Sequence, residues 1–252
     1  MLYQTPVFLP FLLVNLFIYW RLLHTRVWRT RWIAASSAVF LIAAQIETVT
    51  LEYACLATGG VILLSLLVYF LGRQLTRNGN LALLAIAIVA PLSVLGLFKY
   101  FAPISSNLGY PLNLIAPMGV SYYTFKFISY LIECSRGKFA DADVEAFLAY
   151  ILFFPMFTAG PIERFGNFLE QLNECRFSWD VISTGLERIA IGVAFKFVIS
   201  DFLVAPFVPP GEIMASEVNR LDAWQVFLAS LARFLRTYFD FAGYTHMVIG
   251  VG

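Results

Sequence analysis

The chain has 252 residues, of which 60% are hydrophobic and 13% charged, with a formal net charge of +1. A soluble domain carries roughly 25% charged and about 45–50% apolar residues. This composition, with a mean hydropathy of +0.77, therefore excludes an ordinary soluble fold. The near-neutral balance brings no basic stripe and no binding motif with it, so no nucleic-acid partner is expected.

Hydrophobic segments cover approximately 7–23, 32–46, 53–71, 81–101, 112–132, 144–160, 183–208 and 221–252. Several approach the roughly 20 apolar residues needed to span a bilayer. No tandem repeat, soluble insert or long linker separates them. The pattern predicts an all-α, polytopic transmembrane helix bundle forming a single membrane domain over 1–252, with membrane lipid as its first partner.

The first segment has no basic residues before it and no small-residue cleavage site, so it reads as a retained helix rather than a secretory signal. Arg21, Arg26, Arg29 and Arg31 follow it and place the first connection in the cytoplasm. Glu47 and Glu52 occupy the next loop without Lys or Arg, as an outside loop can. Arg73 and Arg77 return the chain inside, and Arg136 with Lys138 after the fifth segment do so again. The N-terminus is accordingly predicted outside.

The alternation blurs in the later segments because they are broken. Pro111 and Pro117 precede Gly119 in the fifth, and Pro155, Gly160 and Pro161 interrupt the sixth. Non-helical backbone at membrane depth survives only against protein or water, so these breaks predict a re-entrant segment or an internal cavity.

Charges inside or beside apolar runs mark candidate chemistry: Lys99, Lys126, Arg188, Lys196, Asp201, Arg233, Arg236 and Asp240. Long basic side chains snorkel to the interface, which suits Lys99 and Arg188. A short carboxylate such as Asp240 cannot. Arg236, Asp240 and Tyr244 follow at i, i+4 and i+8 and share a helix face. They read either as an ion pair with a phenol lining a polar tunnel or as a pair that fixes packing. Lys196 and Asp201 are five apart and do not face each other on an α-helix, so each is expected to pair with another segment. Gly160-Pro161-Ile162-Glu163-Arg164 is a second candidate. Arg164 offers a fork for a phosphate or carboxylate, or it pairs with Glu163 or a helix end.

His24 belongs to the basic first loop. His246 shares a face with Gly243 and Gly250, where small neighbours permit close helix approach. It reads as a packed histidine first and a candidate general base second. Cys55, Cys134 and Cys175 include no C-x-x-C pair, so neither a disulfide framework nor a zinc site is expected, and no other metal pattern is present. H-x-x-x-H, G-x-S-x-G and Walker patterns are missing.

Five stretches carry a resemblance, in order: LGLFKYF (95–101), PMGVSYYTFKFISYLIE (117–133), FFPMFTAGPIERFGNF (153–168), GLERIAIGVAFKFVISD (185–201) and YFDFAGYTHMVIGVG (238–252). Together they resemble the membrane-bound O-acyltransferase family, and within it the bacterial branch that esterifies cell-surface polymers. That branch includes alginate O-acetylation and D-alanyl transfer to teichoic acid, and the five blocks lean toward the first. The first 90 residues match only in hydropathy.

The resemblance implies a helix bundle pierced by a tunnel in a bacterial inner membrane. An acyl donor on the cytoplasmic side (acetyl-CoA or an acyl carrier protein) would supply an acyl group, acetyl by preference. The acceptor would be a hydroxyl of an exported polysaccharide, reached through an extracytoplasmic acyltransferase partner. No bound cofactor is implied. Glu163, Arg164, Arg236, Asp240 and Tyr244 are the expected substrate and tunnel residues. The family's catalytic histidine follows the FDF-x-GY block, near a W-H dipeptide that this sequence does not contain. The resemblance therefore implies that the base lies beyond Gly252, that the chain is the N-terminal part of a longer fold, and that alone it is inactive. His246 is the lesser candidate. A transporter or flippase for a lipid-linked sugar, or a non-catalytic membrane scaffold, is the alternative from the broken helices and charges.

Overall fold

A computed structural model describes residues 8–107, 115–157, 163–174, 177–208 and 222–252. Among them the regular structure is entirely helical. This is the all-α membrane bundle that the composition predicts.

The helices begin where short polar side chains can serve backbone N–H groups left over at a helix start. Helix α1 (Phe8–Phe17) runs into a π-helical turn, Ile18–Leu22. Thr25 accepts from the Trp28 N–H to start α2 (Arg26–Ile46), and Thr50 accepts from the Tyr53 N–H to start α3 (Leu51–Asn78). Asn80 does the same for α4 (Leu81–Gly96), which continues as the π-helical Leu97–Phe101. Gly79 ends α3 at φ 57°, a left-handed backbone that only glycine adopts freely. Among the described residues, three helical stretches are long and apolar enough to cross a membrane: Leu51–Asn78, Leu81–Phe101 and Trp179–Phe207.

The described chain falls into two compact units, the first ending at residue 176 and the second running from residue 177 to residue 252. In the first, α2, α3 and α4 pack with α6 (Val120–Ser135) and α7 (Val144–Leu152), while α5 (Ala102–Asn107) is short. Its core is aromatic. Tyr130 packs on Phe147 with ring centroids 4.3 Å apart, and Phe165 closes on Tyr130 and Tyr150 at 5.4 and 5.3 Å. Such pairs contribute about 0.5–1.5 kcal/mol beyond their buried area.

The sixth hydrophobic segment breaks before its glycine. Helix α7 stops at Leu152, and a 3₁₀ turn over Phe154–Met156 follows. The buried Phe154 N–H donates to Ser37 Oγ of α2 at 3.1 Å, so the interrupted ladder is satisfied from a neighbouring helix. Pro111, Gly160, Pro161 and Cys175 lie outside the described residues. The break at Pro117 and Gly119 is real: α6 starts only at Val120, from Gly119 at φ 76°, where a Cβ would come 2.5 Å from the Phe157 carbonyl oxygen.

In the second unit, α9 (Trp179–Val193) continues as a π-helical stretch, Ala194–Val204, and a 3₁₀ turn, Ala205–Phe207. Helix α10 (Ala223–Val251) starts at a capping box of Asp222 and Gln225 and runs back along it. Glycines let the two backbones touch. A Cβ on Gly192 would lie 2.5 Å from the Gly243 carbonyl oxygen, and one on Gly243 would lie 2.7 Å from that of Gly192. Gly185 and Gly250 meet in the same way. The small-residue face expected around His246 is thus the antiparallel seam of this unit.

Candidate functional site

The second unit brings Lys196, Asp201 and Asp240 together where the π-helical stretch meets α10. Bonding from i to i+5 stacks residues five apart, so Lys196 and Asp201 meet: Nζ lies 3.2 Å from both Oδ1 and Oδ2. The expectation that they diverge holds for an α-helix, and the helix type overturns it. The same ammonium pairs with Asp240 of α10. One cation therefore serves two carboxylates in apolar surroundings, and the side chains are 12%, 35% and 27% exposed for Lys196, Asp201 and Asp240.

The expected Arg236–Asp240 pair does not form. Asp240 turns to Lys196, while Arg236 is exposed and contributes its backbone carbonyl, which accepts from the buried Ser200 hydroxyl at 3.0 Å. Tyr244, one turn beyond Asp240, is buried. His246 is half-buried, with its ring edge-on to Phe195 at 5.6 Å. Its Nδ1 and the Thr245 hydroxyl are buried without a hydrogen-bond partner among the described residues.

The first unit holds a different group. Lys126 is 1% exposed on α6, too deep to snorkel. Its ammonium donates to the Tyr150 carbonyl and stands 4.3 Å from the Tyr150 ring centroid and 5.6 Å from that of Tyr122. Tyr150 in turn donates its hydroxyl to the Glu163 carbonyl at 2.8 Å. Glu163 is half-buried and Arg164 exposed, just ahead of α8 (Phe165–Glu174). Sequence reasoning marked Lys126 only as a charge in an apolar run. The signal for more was its setting, with Tyr122, Tyr123, Phe127 and Tyr130 on every side.

The basic clusters of the first unit share one end. Arg26 pairs with Asp143 at 3.5 Å, and Arg31 with Glu145 at 2.8 Å, joining the start of α2 to the start of α7. The hydrogen bond to Glu145 and its charge raise the Arg31 pKa further above its usual value. Thr76, near the end of α3, donates to the Lys138 carbonyl at 3.1 Å, which brings Arg77 to the loop carrying Arg136 and Lys138.

Comparison with known proteins adds two findings. The family model described as MBOAT, membrane-bound O-acyltransferase family, matches residues 78–251. Among curated relatives, the probable alginate O-acetylase of Azotobacter vinelandii is 34% identical over 181 residues, covering 67% of this chain and 35% of the relative. The teichoic acid D-alanyltransferase of Bacillus subtilis is 31% identical over 56% of this chain and 36% of the relative. The peptidoglycan O-acetyltransferase of Helicobacter pylori is 28% identical over 67% of this chain and 38% of the relative. The chain thus spans about a third of the length of the relatives it matches.

Proposed function

The chain belongs to the membrane-bound O-acyltransferase family, and on that footing we propose that it serves O-acyl transfer to hydroxyls of an exported cell-envelope polysaccharide, with acetyl as the acyl group. The observation that carries the reading is the Asp201–Lys196–Asp240 bridge. It places a charged, hydrogen-bonding cluster between apolar helices of the matched region, where charge is costly and marks a site.

The donor is a thioester, acetyl-CoA or an acyl carrier protein, on the cytoplasmic side. The acceptor hydroxyl oxygen attacks the acyl carbonyl, an ester C–O bond forms, the C–S bond breaks, and the hydroxyl proton passes by way of a base to the departing thiolate. Asp240, Tyr244 and Arg236 in the second unit, and Glu163 and Arg164 in the first, are the proposed contacts to substrate or to a polar path. Neither His24 nor His246 is proposed as the base. The family membership favours acyl transfer over a flippase or a scaffold, which share only the broken helices. An extracytoplasmic acyltransferase is the proposed acceptor-side partner.

We place the protein as a multi-pass component of the bacterial inner membrane. The end of the first unit where Arg26, Arg31, Arg77 and Lys138 gather is the proposed cytoplasmic face. The test is ester content of the exported polymer in a strain whose own copy of the gene is deleted. Complementation by the wild-type gene restores the ester; Arg164→Ala and Asp240→Asn variants that accumulate normally restore much less. Normal ester from both variants would defeat the site assignment. A polymer equally esterified without the gene would defeat the function.

A further inference from the structure

We propose that Arg29, held in an aromatic corner at the start of α2, binds the phosphodiester of an anionic phospholipid of the surrounding membrane. The site lies ahead of the family-matched residues 78–251 and rests on no part of the acyl-transfer reading.

Four arginines crowd the connection between α1 and α2, and the structure treats them differently. Arg26 pairs with Asp143 and Arg31 with Glu145. Arg29 has no carboxylate partner among the described residues. Its Nε donates to the Leu23 carbonyl at 2.9 Å, and its guanidinium carbon stands 5.0 Å from the ring centroids of both Tyr19 and Trp20. Those two rings meet edge to face at 5.1 Å. The guanidinium is thus half-buried and fixed in orientation by groups that leave its charge uncompensated.

The two rings act on the cation through their faces, and the Leu23 carbonyl takes one of its five N–H donors. The donors that remain form a fork matched to two oxygens of one phosphate. Because the side chain is already held, binding costs little further rotamer freedom.

The surroundings name the class of anion. Phe17, Leu22, Val27 and Trp28 are exposed apolar side chains close to Arg29 in the chain. Trp and Tyr settle where hydrocarbon meets headgroups, and an arginine at that level faces lipid phosphates. A soluble phosphate would use the charge and leave the apolar rim idle, whereas a phospholipid uses both. Arg21, next to Trp20 in the chain, is exposed and also has no carboxylate partner among the described residues, so the net charge favours an anionic headgroup over a zwitterionic one.

The first readout needs no variant. Phenylglyoxal modifies accessible guanidinium groups, and modification of Arg29 is followed by peptide mass spectrometry on the whole chain in nanodiscs. Phosphatidylglycerol discs should slow the Arg29 reaction about fivefold relative to phosphatidylcholine discs. Arg77, exposed at the same end of the first unit, should change by less than about twofold. An equal change at Arg29 and Arg77 would reduce the effect to the general attraction between basic loops and anionic lipid, and would overturn the site. Millimolar inorganic phosphate should leave Arg29 labelling in phosphatidylcholine discs unchanged; protection equal to that by phosphatidylglycerol would assign the site to a soluble anion and overturn the lipid.

The second readout is the affinity of the detergent-extracted protein for phosphatidylglycerol, by native mass spectrometry. Arg29→Lys keeps the charge and loses the fork, so the first bound lipid should weaken about threefold or more. Arg29→Met should weaken it about tenfold, and Arg77→Met by less than about twofold. An Arg29→Lys protein that binds the lipid as tightly as wild type would overturn the proposal. If Arg29→Met does not accumulate, Arg29→Lys and the wild-type labelling decide.

Discussion

Lys196 and Asp201, five residues apart, meet at 3.2 Å because the backbone between them is π-helical. The same ammonium reaches Asp240 on the opposing helix. The π-helical register and the ion bridge therefore support each other. In an α-helical Ala194–Val204, Asp201 would rotate off the Lys196 face, and the second carboxylate would lose its cation.

Removing Lys196 should cost more than removing the bridge as a whole. Breaking a buried pair by deleting one partner costs about 3–5 kcal/mol. These side chains are partly exposed, so a loss of roughly 1–3 kcal/mol is expected for Lys196→Met. The triple change Lys196→Met, Asp201→Asn, Asp240→Asn should be milder, and Arg236→Met close to neutral. Thermal unfolding of the detergent-extracted protein measures all three. An Arg236→Met loss equal to that of Lys196→Met would restore Arg236 as the partner of Asp240.

The glycine seam makes a second prediction. At Gly192 and Gly243 a methyl group would meet backbone, which cannot swing aside as a side chain can. Gly192→Ala and Gly243→Ala should each separate the two helices and lower the folded yield severalfold, at a cost of about 1–3 kcal/mol for overpacking. Gly59 and Gly60 face open space on α3. Gly59→Ala should be neutral or stabilising by up to about 1 kcal/mol, because alanine holds a helix better than glycine. Fluorescence-detected size exclusion compares the three. Equal behaviour at Gly192 and Gly59 would remove the seam.

How far these features could be read from the chain follows from their range. The all-helical class and the spans rest on local composition, and so did the breaks at Gly119 and Pro155. The glycine face around His246 was visible from its spacing, but its partners Gly185 and Gly192 belong to another helix, and no local rule pairs them. The Arg236–Asp240 expectation failed because i, i+4 spacing states only which residues can meet on one helix. A cation from the neighbouring helix at closer range takes the carboxylate. Lys196 does pair with another segment, through Asp240, but its meeting with Asp201 was missed for a different reason: the sequence AFKFVISDFLV carries no proline or glycine to announce a π-helix. Lys126 was legible as a charge in an apolar run, but its burial against Tyr150, 24 positions away, was not.

Reporter fusions test the proposed orientation. The start of α2, the end of α3 and the loop before α7 gather Arg26, Arg31, Arg77 and Lys138 at one end. Basic loops are retained in the cytoplasm. A phosphatase reporter fused at residue 28 should be inactive and one at residue 50 active, with a cytoplasmic reporter giving the reverse. Phosphatase activity at residue 28 would invert the topology and move the proposed donor side to the opposite end.

His246 supplies the last prediction. Its ring sits edge-on to Phe195 of the π-helical stretch, and its neighbour Met247 lies against Gly192. The buried Nδ1 has no partner among the described residues, so no carboxylate fixes a tautomer with the other nitrogen poised to accept a proton. A general base contributes about 10²–10⁴ in rate. If His246 is a packing residue, His246→Ala in the intact protein should cost stability, through the lost ring contact, of about 1 kcal/mol. Polymer esterification per folded molecule should stay within about threefold of wild type, far from the loss that removing a base brings. His246→Phe, which keeps a flat ring against Phe195 but cannot accept a proton, separates the roles. Packing predicts that Phe restores the melting temperature and leaves esterification intact. A drop of a hundredfold or more in both variants at normal folded yield would make His246 the base and overturn its reading as a packed histidine.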